Sequence, residues 1–135
     1  MAERLDDPVV LSRALGALAN ILDGRSLLRD HLQIAQMRLE ISQEARLTDP
    51  SEGIDAVSGV GMALMYVGEY AQAMPYLQEA ETLAASMQAI GQQAAALGLL
   101  GQCWFRLDRW EEVFATEEKW RDLERRYPRQ RVGAT

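Results

Sequence analysis

Residues 57–80 read VSGVGMALMYVGEYAQAMPYLQEA, and residues 97–120 read LGLLGQCWFRLDRWEEVFATEEKW. Aligning these two segments superimposes a pattern of large apolar residues around one glycine, Val57-x-x-Val60-Gly61-x-x-Leu64 on Leu97-x-x-Leu100-Gly101-x-x-Trp104. Aligning Leu15 with Val57 in the same way places Ala19 at the position of Gly61. A small residue lets a second helix approach closely, while its large neighbours fill the flanks. The pattern therefore predicts three related helix pairs.

Prolines, glycines and capping residues divide the chain into six predicted helices. Asp49-Pro50-Ser51-Glu52 combines a capping aspartate, a proline suited to the first helical position and a glutamate three residues after the cap. Alternating apolar and polar runs typical of strands are missing from the sequence, and β-branched residues are scarce. The predicted helices cover residues 8–23, 26–46, 50–67, 70–86, 89–107 and 109–127. Short connections make neighbouring helices antiparallel, so we expect an all-α fold.

The repeat also sets the expected domain organisation. Residues 1–127 form a single predicted domain with repeats at 8–46, 50–86 and 89–127. Residues 128–135 contain two arginines and are expected to form a basic flexible tail.

With this repeat in place, the chain resembles the tetratricopeptide family of helix-pair proteins. The resemblance is strongest in the second repeat, and it assigns a packing role to Ala19, Gly61, Tyr70, Ala73, Ala80, Gly101, Trp104 and Trp110. It implies a right-handed superhelix of about three antiparallel helix pairs, an α-solenoid. The usual repeat of this family has about 34 residues. The longer period here is similar to arrays in bacterial signalling and regulatory proteins.

Composition and charge narrow the possible function classes. A chain of 135 residues with 48% hydrophobic and 25% charged residues is typical of one globular domain. The net charge is −6, and residues 51–104 contain neither lysine nor arginine, which argues against a nucleic-acid partner. Apolar runs stay shorter than the roughly 18 residues expected of a membrane span, and the first residues lack a secretion signal. We therefore expect a cytoplasmic protein with no membrane partner.

Candidate catalytic and metal-binding groups are few. The sequence has one cysteine, Cys103, and one histidine, His31, which excludes an intrachain disulfide and a multi-cysteine metal site. Adjacent carboxylates such as Glu117 and Glu118 point about 100° apart on a helix, so they do not converge on one substrate atom. A cation that could lower the pKa of Cys103 is absent from the preceding turns. We expect no enzyme activity, no cofactor and no bound metal.

The resemblance implies that the first helix of each pair lines a concave groove that binds a protein or peptide. The positions expected to face this groove are Arg13, Asn20, Asp55, Met62, Met65, Tyr66, Gln102, Phe105 and Arg106. Methionine side chains adapt to varied partners, and aromatic side chains dominate binding hot spots. Two alternatives stay open. These residues could pack a core or a neighbouring repeat, or the chain could be a small-ligand sensor with an apolar pocket lined by methionine and tryptophan.

The two ends of the predicted solenoid differ in polarity. The terminal repeats of a solenoid need a polar outer face. The last helix supplies one, with an inward stripe of Val113, Phe114, Trp120, Leu123 and Tyr127. The first pair instead exposes apolar residues, namely Val9, Val10, Leu11, Leu27 and Leu28. The sequence therefore predicts a homodimer through the N-terminal helix pair.

Overall fold

The structure, a computed structural model, describes residues 7–23, 28–44 and 49–128, and these contain six α-helices. The helices are α1 (Pro8–Asp23), α2 (Leu28–Glu44), α3 (Pro50–Tyr66), α4 (Tyr70–Ser86), α5 (Ile90–Arg106) and α6 (Trp110–Arg126). The described ranges contain no strand, which confirms the all-α class. The predicted α3 extended one residue past the observed C-terminal end, and the predicted α5 and α6 extended one residue past both observed ends. The predicted tail lies outside the described residues from residue 129 onward.

Three similar turns connect the last four helices. In the middle of each turn one residue has a positive φ: 85° at Gly68, 54° at Gln88 and 59° at Asp108. The amide of the next residue then bonds back to the end of the preceding helix, as Glu69 N–H does to the Leu64 carbonyl at 2.8 Å. The helices consequently begin at evenly spaced positions, Pro50, Tyr70, Ile90 and Trp110, and the pair of α5 and α6 repeats the pair of α3 and α4 in register.

The turn between α4 and α5 carries a backbone strain that glycine would relieve. A left-handed conformation costs an L side chain roughly 1 kcal/mol, and Gln88 is exposed, so its side chain is not needed for packing. We expect Gln88→Gly to raise the free energy of unfolding by about 0.5 kcal/mol or more, measured by urea denaturation. The control Gln78→Gly, at an exposed position inside α4, should lower it by about 1 kcal/mol. A loss in both variants would contradict this account.

The helices stack in chain order and form two layers. Each helix packs on the next one, while α1 also contacts α3 and α3 contacts α5. The first helices of the three pairs therefore lie side by side, as expected of a solenoid. The main core is formed by buried residues of α3, α4 and α5, including Val60, Leu64, Leu77, Leu97 and Leu100. This arrangement confirms the predicted helix-pair solenoid.

The two glycines of the repeat pattern have different surroundings. A Cβ built on Gly61 would lie 2.7 Å from Cγ and Cδ2 of Leu77, which is fully buried and has no space to move. A Cβ built on Gly101 would meet Thr116 Cγ2 at 3.8 Å, an ordinary contact. The second helix pair is therefore packed more tightly at this position than the third.

The remaining predicted packing residues vary in burial. Ala73 and Ala80 on α4 are fully buried, and Tyr70 and Trp104 pack against the main core while partly exposed. Trp110 is half-exposed at the start of α6. The side chain of Ala19 lies outside the described residues.

Candidate functional site

A pocket of about 730 Å³ lies between the end of α3, the second half of α5 and the first half of α6. We call it the terminal pocket. Its lining residues are Met65, Tyr66, Tyr70, Leu97, Gly98, Gly101, Gln102, Phe105, Arg106, Val113, Thr116, Glu117 and Trp120. Two aromatic side chains of the lining are well exposed, Tyr66 by 44% and Phe105 by 54%. The terminal pocket is therefore open to solvent and mostly apolar.

The pocket exists because small residues on α5 face a charged residue on α6. A Cβ built on Gly98 would meet no atom within 4 Å. Across from it, Glu117 occupies the repeat position that Leu77 holds in the second helix pair. The carboxylate of Glu117 accepts a hydrogen bond from Arg121 at 2.7 Å. Because the large apolar side chain of the second repeat is missing here, the space between α5 and α6 stays unfilled.

Ring contacts hold the aromatic side chains of the pocket. Phe105 and Trp110 pack edge to face, with ring centroids 5.3 Å apart and planes at 83°. The Tyr66 ring lies 5.7 Å from the ring of buried His31. The Arg106 guanidinium is 6.0 Å from the centre of the Tyr70 ring, within the range of a cation–π contact. Aromatic surface that is already ordered loses little entropy when a ligand binds.

A second depression of about 500 Å³ lies between α1 and α3, and we call it the polar pocket. At its base Glu52 is only 3% exposed, and its Oε1 accepts hydrogen bonds from Ser12 Oγ at 2.6 Å and Arg38 Nε at 2.9 Å. Arg13 bridges Asp49 at 2.6 Å on the surface. The contacts of Glu52 join both helices of the first pair to α3 through a buried carboxylate.

The structure divides the predicted groove residues between these two pockets. Met65, Tyr66, Gln102, Phe105 and Arg106 line the terminal pocket, whereas Arg13, Asp55 and Met62 line the polar pocket. The side chain of Asn20 lies outside the described residues.

Two of the predicted groove residues are already engaged in internal contacts. Met65 is only 8% exposed and belongs to the main core, although it also reaches the terminal pocket. Asp55 accepts a hydrogen bond from Gln92 at 2.9 Å, which joins α3 to α5.

The side of the terminal pocket formed by α6 was predicted only in part. Val113 and Trp120 line it and belong to the predicted inward stripe, whereas Thr116 and Glu117 were not predicted, although the repeat alignment could have indicated them. The predicted inward orientation of Phe114 is wrong, because this side chain is 64% exposed. Phe114 lies on the side of α6 that corresponds to the α5-covered side of α4.

The reactive groups of the described residues are few and unactivated. Cys103 is fully buried, and burial raises the pKa of its thiol to about 11. The thiol is therefore protonated at neutral pH and a poor nucleophile. Residues 7–23, 28–44 and 49–128 contain no group of three histidine, cysteine, aspartate or glutamate side chains placed to hold a metal ion. In the same ranges, no helix has the length and apolar character needed to cross a membrane.

Comparison with known proteins gives one kind of similarity, that of the fold. No family model matches the chain, and no curated protein sequence matches it. Among solved structures, the chain is similar to the crystal structure of the TPR domain of Arabidopsis FLU, with a TM-score of 0.73 and 17% sequence identity. The match covers 81% of this chain and 90% of that chain. The chain therefore has the fold of a tetratricopeptide repeat domain, as its internal repeat predicts.

Proposed function

We propose that this chain is a non-catalytic interaction module that binds a segment of a protein in the terminal pocket. The observation that carries the proposal is the open apolar pocket of about 730 Å³ with Tyr66 and Phe105 exposed at its edge. Concave apolar sites with a few polar groups are typical ligand sites, and exposed aromatic residues are typical anchors of protein interfaces. Gln102 and Arg106 supply hydrogen-bond donors beside the aromatic surface.

The openness of the pocket favours a macromolecular ligand over a small molecule. Small-ligand sites bury about 70–90% of a drug-sized ligand. The terminal pocket is open to solvent on the side where Phe105 lies half-exposed. A small molecule bound there would therefore stay largely solvated. A protein segment can cover this side itself. The alternative of a small-ligand sensor is therefore the weaker candidate.

We also propose a broader role from the length of the repeat. The long period of the helix pairs resembles that of arrays in bacterial signalling and regulatory proteins. A scaffolding or regulatory role in a cytoplasmic signalling or transcription system is the function that this resemblance favours.

Replacing both exposed aromatic residues tests the proposed site. A partner is first isolated with the wild-type chain from a lysate of the source organism and identified by mass spectrometry. We expect Tyr66→Ala/Phe105→Ala to weaken partner binding in calorimetry by about 2 kcal/mol or more, the size of a hot-spot loss. Helicity measured by circular dichroism should persist, because both side chains are well exposed.

A matched variant controls for loss of exposed apolar surface. Met87 is 47% exposed and does not line the terminal pocket, so Met87→Ala should leave the affinity unchanged. An equal loss in both variants, or loss of helicity in the double variant, would contradict the proposed site.

A further inference from the structure

The repeat allows each residue of the third helix pair to be compared with its counterpart in the second pair. Met65 and Met74 are 8% and 6% exposed, whereas their counterparts Phe105 and Phe114 are 54% and 64% exposed. The methionines are buried because α5 packs on α3 and α4. Within the part of the chain that the structure describes, no helix packs in this way on α5 and α6. The outer side of α5 and α6, which exposes Phe105 and Phe114, therefore corresponds to the surface of α3 and α4 on which α5 docks. We call it the end face.

The opposite end of the solenoid exposes the matching helix surface. On α1, Val10, Ala14 and Leu18 follow one another at intervals of one helical turn, and all three are exposed. In α3 the positions of Ala14 and Leu18 are held by Ala56 and Val60. Both are fully buried, because α2 packs on α3. The same positions in α5 are Ala96 and Leu100, which are buried as well. The stripe on α1 is therefore the surface with which the first helix of a pair docks on the preceding pair.

We propose that α1 of one molecule docks on the end face of a second copy, in the position that α5 takes on α3 and α4 within the molecule. This inference rests on the proposed function, because Phe105 belongs to both the terminal pocket and the end face. In this register Leu18 takes the position of Leu100, which belongs to the same core cluster as Met65 and Met74, so Leu18 meets their exposed counterparts Phe105 and Phe114. The contact joins unlike surfaces, so it adds copies head to tail.

The charges of α6 limit the strength of this contact. Glu117 and Arg121 form a solvated pair at positions where the second repeat has Leu77 and Glu81. Apolar contact is therefore restricted to the first half of α6, and the association should be weaker than the packing of α5 on α4.

Two single-face variants test the proposal. Leu18→Glu alters only α1, and Phe114→Glu alters only the end face. Both side chains are exposed, so the folds should persist in circular dichroism. In sedimentation velocity we expect the mass of the wild type to increase with concentration beyond that of a dimer. Each variant alone should associate at least tenfold more weakly. An equimolar mixture should form a one-to-one dimer that does not grow, because one intact copy of each surface remains.

The control and the alternative outcomes separate this proposal from other occupants. Gln36→Glu adds the same charge at an exposed position of α2 and should associate like the wild type. Disruption by Leu18→Glu but not by Phe114→Glu would indicate a symmetric N-terminal homodimer and overturn the proposal. A wild type that stays monomeric at high micromolar concentration overturns it too. If the wild type stays monomeric but Tyr66→Ala/Phe105→Ala weakens its binding to another partner, the proposed function stands without self-association. If it also has no partner whose binding this double variant weakens, the proposed function and the self-association are both wrong.

Discussion

Gly61→Leu is expected to unfold the second helix pair and to lower the free energy of unfolding by about 3 kcal/mol. Even a Cβ at this position would lie 2.7 Å from two atoms of Leu77, and a leucine adds three further carbon atoms. Leu77 is fully buried, so α4 can yield only by moving away from α3. Urea denaturation followed by circular dichroism measures the change, and the loss of cooperativity would show that α3 and α4 no longer pack.

An alanine pair provides the matched control for this steric argument. Gly61→Ala should lower the free energy of unfolding by about 1 kcal/mol or more, because overpacking outweighs the better helix propensity of alanine. Gly101→Ala should raise it by up to about 1 kcal/mol, since its Cβ would meet Thr116 at an ordinary 3.8 Å. Equal effects in the two variants would mean that contact with Leu77 does not distinguish these positions.

Removing the buried carboxylate of the polar pocket should have an effect of similar size. Glu52→Leu is expected to destabilise the fold by about 3–5 kcal/mol, because it leaves the Arg38 guanidinium without its ion pair in a mostly buried place. The double variant Glu52→Leu/Arg38→Met should recover most of this loss, since apolar residues of similar volume often replace a buried ion pair without cost. Thermal and urea unfolding of the two variants provide the comparison.

An exposed ion pair serves as the reference for Glu52. The Glu117–Arg121 pair lies on the surface of α6, so Glu117→Gln should change the free energy of unfolding by less than about 0.5 kcal/mol. A Glu52→Leu variant as stable as Glu117→Gln would show that the buried network does not hold α1 and α2 against α3.

The fold could be predicted from the sequence because its signals are local and repeated. The capping residues Asp49 and Pro50 determine the start of α3, and the side chain of Asp49 accepts hydrogen bonds from the amides of Ser51 and Glu52 as expected. The repeated spacing around Gly61 and Gly101 then indicates helix pairs. The exact ends of α3, α5 and α6 were less accurate, because the residues beside them, such as Val67, Ala89 and Leu107, are types that a helix also accommodates.

The candidate site could be predicted only in part, because burial depends on the neighbouring helix rather than on the residue type. Met65 and Phe105 hold the same repeat position. The following helix pair covers Met65, whereas none of the described helices packs on Phe105 in this way. The pairing of Glu52 with Arg38 joins different helices and follows no local spacing. Sequence comparison also treats Gly61 and Gly101 alike, whereas the difference between Leu77 and Glu117 on the facing helices gives them different surroundings.

The even spacing of the helix starts has a consequence for how such a chain can change in length. Copying a segment of one period, such as residues 70–109, would insert one helix pair in register, and the copy of α4 would pack on α5 at the position that α6 takes now. The exposed surfaces at the two ends of the solenoid would keep their residues, and the distance between them would increase by the length of one helix pair. Gene duplication could therefore lengthen this protein in fixed increments, and a pair of molecules attached to its two ends would be separated by a distance that the number of copies determines.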